Sequence, residues 1–320
     1  MEQIRTAVIG AGYLGRFHAQ KYAQLPQATL VAVADTNPDA RERLGHELGV
    51  RAVADYKELL GQVDAVSVVT PTAMHAPIAT AFLEAGAHVL VEKPITVGVA
   101  EAEALIRLAQ ARGRILQVGH LERFNPVVLG AEPHLAAPRF VECHRLAPYR
   151  ERGTDVNVVL DLMIHDIDLL QSIVGSEIVA LDAMGAPVFS SEPDIANAHI
   201  RFASGCVANV TASRVSLKTE RKLRLFQDDA YLSLDLQQKI LTVIKKRAGP
   251  VGDAQLPVTI AEQSFDQGDA LLAEIGAFLE AVRGTRAVAV SGEDGLRALR
   301  TAIAITEALA TTSRSGGEGG

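Results

Sequence analysis

Only two cysteines, Cys143 and Cys206, occur in 320 residues, and neither belongs to a paired motif. That argues against a cysteine-based zinc centre and against a disulfide framework, and it fits a reducing compartment. No apolar run reaches the roughly 18 residues that a membrane-spanning helix needs. Positive charge is not in excess: the net charge is −7, so a generic nucleic-acid surface is not expected. The amino terminus, MEQIRTAVIG, runs straight into a strand pattern; no signal peptide is expected, and the protein is expected to be cytoplasmic. No internal repeat is visible, and only the tail, TTSRSGGEGG, has a disordered composition.

What is present is a change of rhythm. The length favours two domains over one core. The first 120 residues alternate apolar strands with helices. Strands are predicted at RTAVIG (5–10), TLVAVAD (29–35), DAVSVVTP (64–71), HVLVEKP (88–94) and RILQVGH (114–120). Continuous Val/Ile/Leu strands separated by helices imply a parallel sheet covered on both faces. Asn37 and Pro38 predict a helix start, as N-cap and first helical residue. After 121 a helix comes first, then runs alternating with period two (EIVALDAMGAPV, NAHIRFASG, CVANVTASRV, KLRLFQDD, AYLSLDLQ and KILTVIKK). Two helices close the chain, the second with Ser291 as N-cap and Asp294 three residues on. The expected fold is α/β: an N-terminal Rossmann domain with a doubly wound parallel sheet, then an α+β domain with an open, mostly antiparallel sheet. The expected boundaries are 1–120, 121–312 and a disordered tail at 313–320.

GAGYLG (10–15) fits G-x-G-x-x-G. It follows a strand, opens a helix, and Asp35 closes the next strand twenty residues after Gly15. This is the dinucleotide fingerprint. Gly10 permits a tight turn, Gly12 lets backbone N–H groups approach a pyrophosphate, and Gly15 lets helix and strand pack closely. Tyr13 and Leu14 lie in the same turn. Asp35 should take the adenosine ribose hydroxyls. A 2′-phosphate there would meet a like charge, a repulsion of about 4 kcal/mol per charge pair at 4 Å and an effective dielectric of 20. Thr36, Asn37 and Pro38 follow, and no arginine comes before Arg41, so NAD is expected rather than NADP. Thr70, Pro71, His75, Glu92 and Lys93 lie at or past the carboxyl ends of later strands, where such sheets bind ligands.

The helix DLMIHDIDLL (161–170) places Asp161, His165 and Asp168 at i, i+4 and i+7 among apolar residues. At about 100° per residue these share one stripe. Burying unpaired charge costs several kcal/mol, so the stripe needs partners, water or a ligand. It is an acidic surface face, a metal site or a catalytic acid–base pair.

These motifs together resemble the Gfo/Idh/MocA oxidoreductases over nearly the whole chain: Gly10–Gly15, TP at 70–71 with His75 beyond it, EKP at 92–94, and the D-x-x-x-H spacing of Asp161 and His165. The resemblance implies Lys93, Asp161 and His165 as the catalytic group, NAD as cofactor, no metal, and sheet faces packed into a homodimer or homotetramer. It gives Asp168 no catalytic role. GHLERFNP (119–126) and RGTDVNVVLDLMIHDID (152–168) further resemble the branch acting on UDP-N-acetylglucosamine at C3. That branch works ahead of a transaminase making 3-amino sugars for lipid A. Another sugar or inositol dehydrogenase, or a 3-keto-sugar reductase, is the alternative within the family.

The residue types suit the chemistry. Oxidising a secondary alcohol with NAD sends a hydride from carbon and a proton from oxygen, and the base should titrate near working pH. Imidazole does so unperturbed. Asp161 would orient it. Lys93 would bind the hydroxyl or, if burial lowers its pKa, take the proton; the sequence leaves open which of His165 and Lys93 is the base. His120, Arg123 and Asn125 follow the last Rossmann strand and are either substrate contacts or an interdomain hinge. Arg145, Tyr149 and Arg150 are either a diphosphate contact or a solvated basic loop. A non-enzymatic NAD-binding regulator would keep the glycine turn but need not keep Lys93, Asp161 and His165 together.

Overall fold

The computed structural model describes residues 3–149, 156–247, 256–265 and 267–315. Two compact units result, Met1–Phe124 with Asp269–Leu299, and Asn125–Gly268 with Arg300–Gly320.

The first unit holds β1 (Ile4–Ile9), α1 (Tyr13–Gln24), β2 (Ala28–Ala34), α2 (Pro38–Leu48), β3 (Arg51–Val53), β4 (Ala65–Val68), α3 (His75–Glu84), β5 (His88–Glu92), α4 (Val99–Arg112) and β6 (Leu116–Gly119). The sheet order is β3-β2-β1-β4-β5-β6, parallel throughout. This is the doubly wound Rossmann order, with its switch point between β1 and β4. The five predicted strands are present: β1 and β2 keep the predicted length but begin one residue earlier, and β4, β5 and β6 are shorter than their apolar runs; β3, only three residues long, is additional. Asn37 caps α2 by accepting from Asp39 N and Ala40 N, with Pro38 at the first helical position.

The first compact unit is not continuous in sequence, because Asp269–Leu299 returns to it. The closing helix α7 (Ala270–Val282) belongs to the first unit, where Leu271, Ile275, Phe278 and Leu279 join the core formed by Ile4, Val8, Ala19, Tyr22 and Leu30. An apolar helix buries its stripe on the partner that fits it, whatever its place in the chain. The last helix, α8 (Gly292–Ser315), begins in this unit behind a reciprocal cap: Asp294 N donates to Ser291 Oγ and Ser291 N to Asp294 Oδ2. It runs through the first three residues of the tail expected to be disordered; residues 316–320 lie outside the described residues.

The second unit holds α5 (Pro126–Ala131), β7 (Phe140–Leu146), a π-helical turn (Val159–Met163) leading into α6 (Ile164–Val174), β8 (Ile178–Ala186), β9 (Ile195–Phe202), β10 (Val207–Ser213), β11 (Glu220–Phe226), β12 (Ala230–Asp235), β13 (Ile240–Lys246) and β14 (Val258–Ser264). The sheet order is β14-β13-β12-β11-β7-β10-β9-β8. All neighbours are antiparallel except β7 and β10, which are parallel. The sheet is therefore open and mostly antiparallel, as expected. The sequence reading missed β7, which lies inside the sheet, and β14 at its edge.

Burial alternates strictly along β9, with Ala196, Ala198, Ile200 and Phe202 inside and Asn197, His199 and Arg201 outside. The outer face carries a polar ladder: Asn197 donates to Thr211 Oγ1 at 2.8 Å, and His199 meets Asn209 at 2.8 Å. Cys143 and Cys206 are both buried and free, and burial pushes both thiols up. Among the described residues no helix is long and apolar enough to cross a membrane.

Candidate active site

In the first unit the glycine turn is shaped as its spacing demands. Gly10 sits at φ +103°, and a Cβ there would lie 2.2 Å from the Val69 carbonyl oxygen. A Cβ on Gly15 would lie 1.8 Å from the Gly10 oxygen. Gly12 differs: among the described residues nothing beyond its chain neighbours and its own helix lies within 4 Å of where its Cβ would stand. It opens α1 with no side-chain cap and no acidic residue in the first turn. The helix dipole and amide groups thus face an open cradle suited to a pyrophosphate. Tyr13, 70% exposed, stacks edge-on against Phe17, and Leu14 is half-buried.

Asp35 is locked at the end of β2. One carboxylate oxygen accepts from Ala11 N at 2.6 Å and the other from Asn37 N at 2.8 Å. A carboxylate offers about four lone-pair sites, so it can still take two ribose hydroxyls. Arg41 is turned to backbone instead, donating to the Thr36 carbonyl at 3.2 Å. Asp35→Ser is expected to narrow the preference for NAD over NADP; comparable catalytic efficiency with both cofactors in the unmodified protein would contradict the role given to Asp35.

Lys93 follows β5 and is half-buried. Both flanking residues are tied down by buried histidines. Glu92 accepts at 3.1 Å from His18, which is fully buried on α1. The Pro94 carbonyl meets His75 Nδ1 at 2.9 Å, and the other His75 nitrogen meets the Thr70 carbonyl at 2.9 Å. His75 is therefore a strut between two strand ends, and burial lowers its pKa. Thr70 is half-buried and Pro71 exposed. Further along, His120 and Arg123 are buried or half-buried, Arg123 lying 3.9 Å from Asp294.

In the second unit Asn125 caps α5, accepting from Val127 N at 3.1 Å and donating to the Leu236 carbonyl at 3.5 Å. The chain passes from one unit to the other after Phe124.

The ionisable stripe is not uniform. Asp161 lies on the π-helical turn and His165 on the first turn of α6; both are half-exposed. Asp168 is 1% exposed, so the acidic-surface reading fails for it. The widened turn is a finding: a regular α-helix was expected throughout, and π-turns within helices concentrate at functional sites. The turn is entered through Asn157, whose side chain accepts from Val159 N and Leu160 N at 3.1 Å.

Arg145 needs correction on both readings. It is neither a diphosphate contact nor a solvated loop residue but lies in β7, 3% exposed, in a bidentate pair with the buried Asp166 at 2.8 and 2.9 Å. Tyr149 is 37% exposed and stacks edge-on with Phe189; Arg150 lies outside the described residues.

The sequence reading did not find His18, Tyr22 and Glu274 as a group. His18 and Tyr22 recur at i and i+4 on the buried face of α1, which is the one local signal they give. Among the described residues the convergent trio of possible metal ligands is His18, Glu92 and Glu274, not the stripe on α6.

Residues 4–120 match the Gfo/Idh/MocA oxidoreductase family, NAD-binding Rossmann fold, and residues 147–314 match that family's C-terminal α/β domain. The UDP-N-acetylglucosamine 3-dehydrogenase of Acidithiobacillus ferrooxidans is 40% identical over 97% of this chain and 98% of its own length. A solved structure of that enzyme superposes with a TM-score of 0.90 over 97% of this chain and 99% of that one, at 39% identity. The NAD-dependent scyllo-inositol 2-dehydrogenase of Bacillus subtilis is 31% identical over 67% of this chain and 68% of its own. The chain belongs to the Gfo/Idh/MocA oxidoreductases, enzymes built on an NAD-binding Rossmann domain followed by an α/β domain.

Proposed function

We propose that the protein oxidises the 3-hydroxyl of UDP-N-acetylglucosamine to the 3-keto sugar. The observation that carries this is the full-length similarity, at 40% identity, to a UDP-N-acetylglucosamine 3-dehydrogenase. The glycine turn, Asp35 and the open cradle at Gly12 hold NAD, which when bound supplies the acceptor for the departing hydride. Lys93, Asp161 and His165 act on the substrate hydroxyl. Lys93 donates a hydrogen bond to the hydroxyl oxygen and stabilises the negative charge that grows there. His165 accepts the proton, and Asp161, one turn before it, orients the ring and stabilises the imidazolium. The widened turn and its Asn157 entry set the spacing of that pair. His120 and Arg123 are candidate substrate contacts.

In this reading the product feeds a transaminase that makes a 3-amino sugar, as in lipid A synthesis, and the enzyme is cytoplasmic. It works as a homodimer or homotetramer through the open sheet. Light scattering at micromolar concentration is expected to show that assembly, and a monomer would contradict it.

The test is a substrate screen. NADH is expected to appear with NAD and UDP-N-acetylglucosamine, and to keep appearing after chelator treatment. NADH formed from scyllo- or myo-inositol but not from the nucleotide sugar would replace this reading with the second one, which the 31% identity to an inositol dehydrogenase favours. No turnover with any sugar, despite tight NAD binding, would point to a regulator.

A further inference from the structure

A buried polar cluster in the first unit reaches the backbone of Lys93 through Glu92. Tyr22, Ser67, His18 and Glu274 are all fully buried, and the Glu92 side chain is 12% exposed. Tyr22 Oη lies 2.9 Å from Ser67 Oγ, Ser67 Oγ lies 3.1 Å from His18 Nδ1, and His18 Nε2 lies 3.1 Å from Glu92 Oε1. The other Glu92 oxygen accepts from Lys93 N at 3.3 Å.

Donor bookkeeping gives this chain one direction. A carboxylate only accepts, so His18 Nε2 carries a hydrogen, and in the neutral ring Nδ1 is then the acceptor. Ser67 then donates to His18, and Tyr22 donates to Ser67. Every member is satisfied, and the chain ends on the backbone of Lys93. Gly119, paired with Glu92 across the sheet, leaves the room: a Cβ there would lie 2.8 Å from Glu92 Oε1.

Glu274 on α7 completes the cluster. A carboxylate oxygen of Glu274, a ring nitrogen of His18 and a carboxylate oxygen of Glu92 all lie within 4.8 Å of one another. Among the described residues neither Glu274 oxygen has a hydrogen-bond partner. A second bare carboxylate, buried and facing Glu92, would meet both desolvation and like-charge repulsion.

We propose that Tyr22, Ser67, His18 and Glu92, backed by Glu274, form a positioning network that holds the backbone of Lys93 for its work on the substrate hydroxyl. Burial, then the charge of Glu92, keeps the proton on Glu274, so the cluster carries one negative charge rather than two. That charge stays on Glu92, where His18 and Lys93 N need an acceptor. In this scheme Glu92 and His18 are positioning residues. The role assigned to Lys93 rests on the proposed function above; the network itself does not.

The test uses the full-length protein and three readouts. In Glu92→Gln, whose amide cannot accept from both donors with both its groups, the Lys93 amide is expected to exchange with solvent about tenfold faster or more. The same variant is expected to lose about tenfold or more in kcat, with KM for NAD within about threefold. In wild type at neutral pH, infrared difference spectra against Glu274→Gln are expected to show a protonated carboxyl band that the variant lacks. If Glu92→Gln does not fold, His18→Phe, which removes the same donor, is read in its place.

An unchanged Lys93 amide overturns the proposal, as does the absence of that carboxyl band. A stoichiometric divalent cation in the purified protein, lost in Glu274→Gln, also overturns it and makes the trio a metal site. If Lys93→Met keeps full activity, the proposed function of Lys93 fails instead, and amide exchange together with the carboxyl band decides the network.

Discussion

Lys93→Met is expected to lower turnover by about two to four powers of ten, the range for a group that acts on the proton of the reacting centre. The ammonium is the one cation supplied by the EKP turn, and methionine keeps its length without its donors. His165→Asn is expected to cost a similar amount, and Asp161→Asn less, because an orienting group can be partly replaced by an amide. None of the three belongs to the glycine turn, so folding and NAD affinity should survive in all three. Steady-state kinetics paired with NAD titration and circular dichroism check this. A Lys93→Met variant within about tenfold of wild-type turnover would remove Lys93 from the chemistry.

The second large effect is on stability. Asp194 is fully buried and gathers the loop before β9: Val188 N, Phe189 N and Ser190 N all donate to Oδ2 at 2.7 to 2.9 Å, while Ser190 Oγ and Arg214 Nε donate to Oδ1 at 2.7 Å. Arg214 also donates to the Val156 carbonyl, beside the Asn157 entry to the π-turn. The pair therefore anchors the start of the segment that carries Asp161. Asp194→Asn leaves the buried guanidinium without its counter-charge, and about 3–5 kcal/mol of stability should go with it.

Burial alone would push the Asp194 carboxyl up; the Phe189 N–H, the Arg214 guanidinium and Ser190 outweigh it and hold it well below the usual carboxylate range. A carboxyl depressed in the folded state stabilises above its unfolded value of about 3.9 and loses that contribution as pH falls toward the folded one. The stability gap between wild type and Asp194→Asn should thus be full near neutral pH and shrink below about pH 4. Calorimetric melting across that range checks it; a gap that widens in acid would contradict it.

Legibility in the sequence followed the range of the interaction. The glycine turn, the Asn37–Pro38 start of α2 and the Ser291–Asp294 cap are local, and each is present as read. The existence of the Rossmann strands was legible from their apolar runs, but their ends were not, since β4, β5 and β6 stop short of the runs that predict them. By contrast β7, FVECHRL, alternates Glu142 and His144 with buried residues and carries Arg145 inward. An arginine there suggests a surface until Asp166, 21 residues on, is found opposite it. The π-turn leaves no trace in a 3.6-residue pattern, because the same apolar residues serve both windings. The bond between His18 and Glu92 spans 74 residues, and the place of Glu274 beside them depends on α7 returning to the first unit. Neither was visible without the fold.

The central claim is that hydride leaves C3 of the sugar. UDP-N-acetylglucosamine carrying deuterium at C3, incubated with the protein and NAD, tests it directly through mass spectrometry of the reduced nicotinamide cofactor. Deuterium in the recovered cofactor, one atom per turnover, is the expected result. Reduced cofactor that carries no deuterium, with the label retained in the sugar, would contradict it.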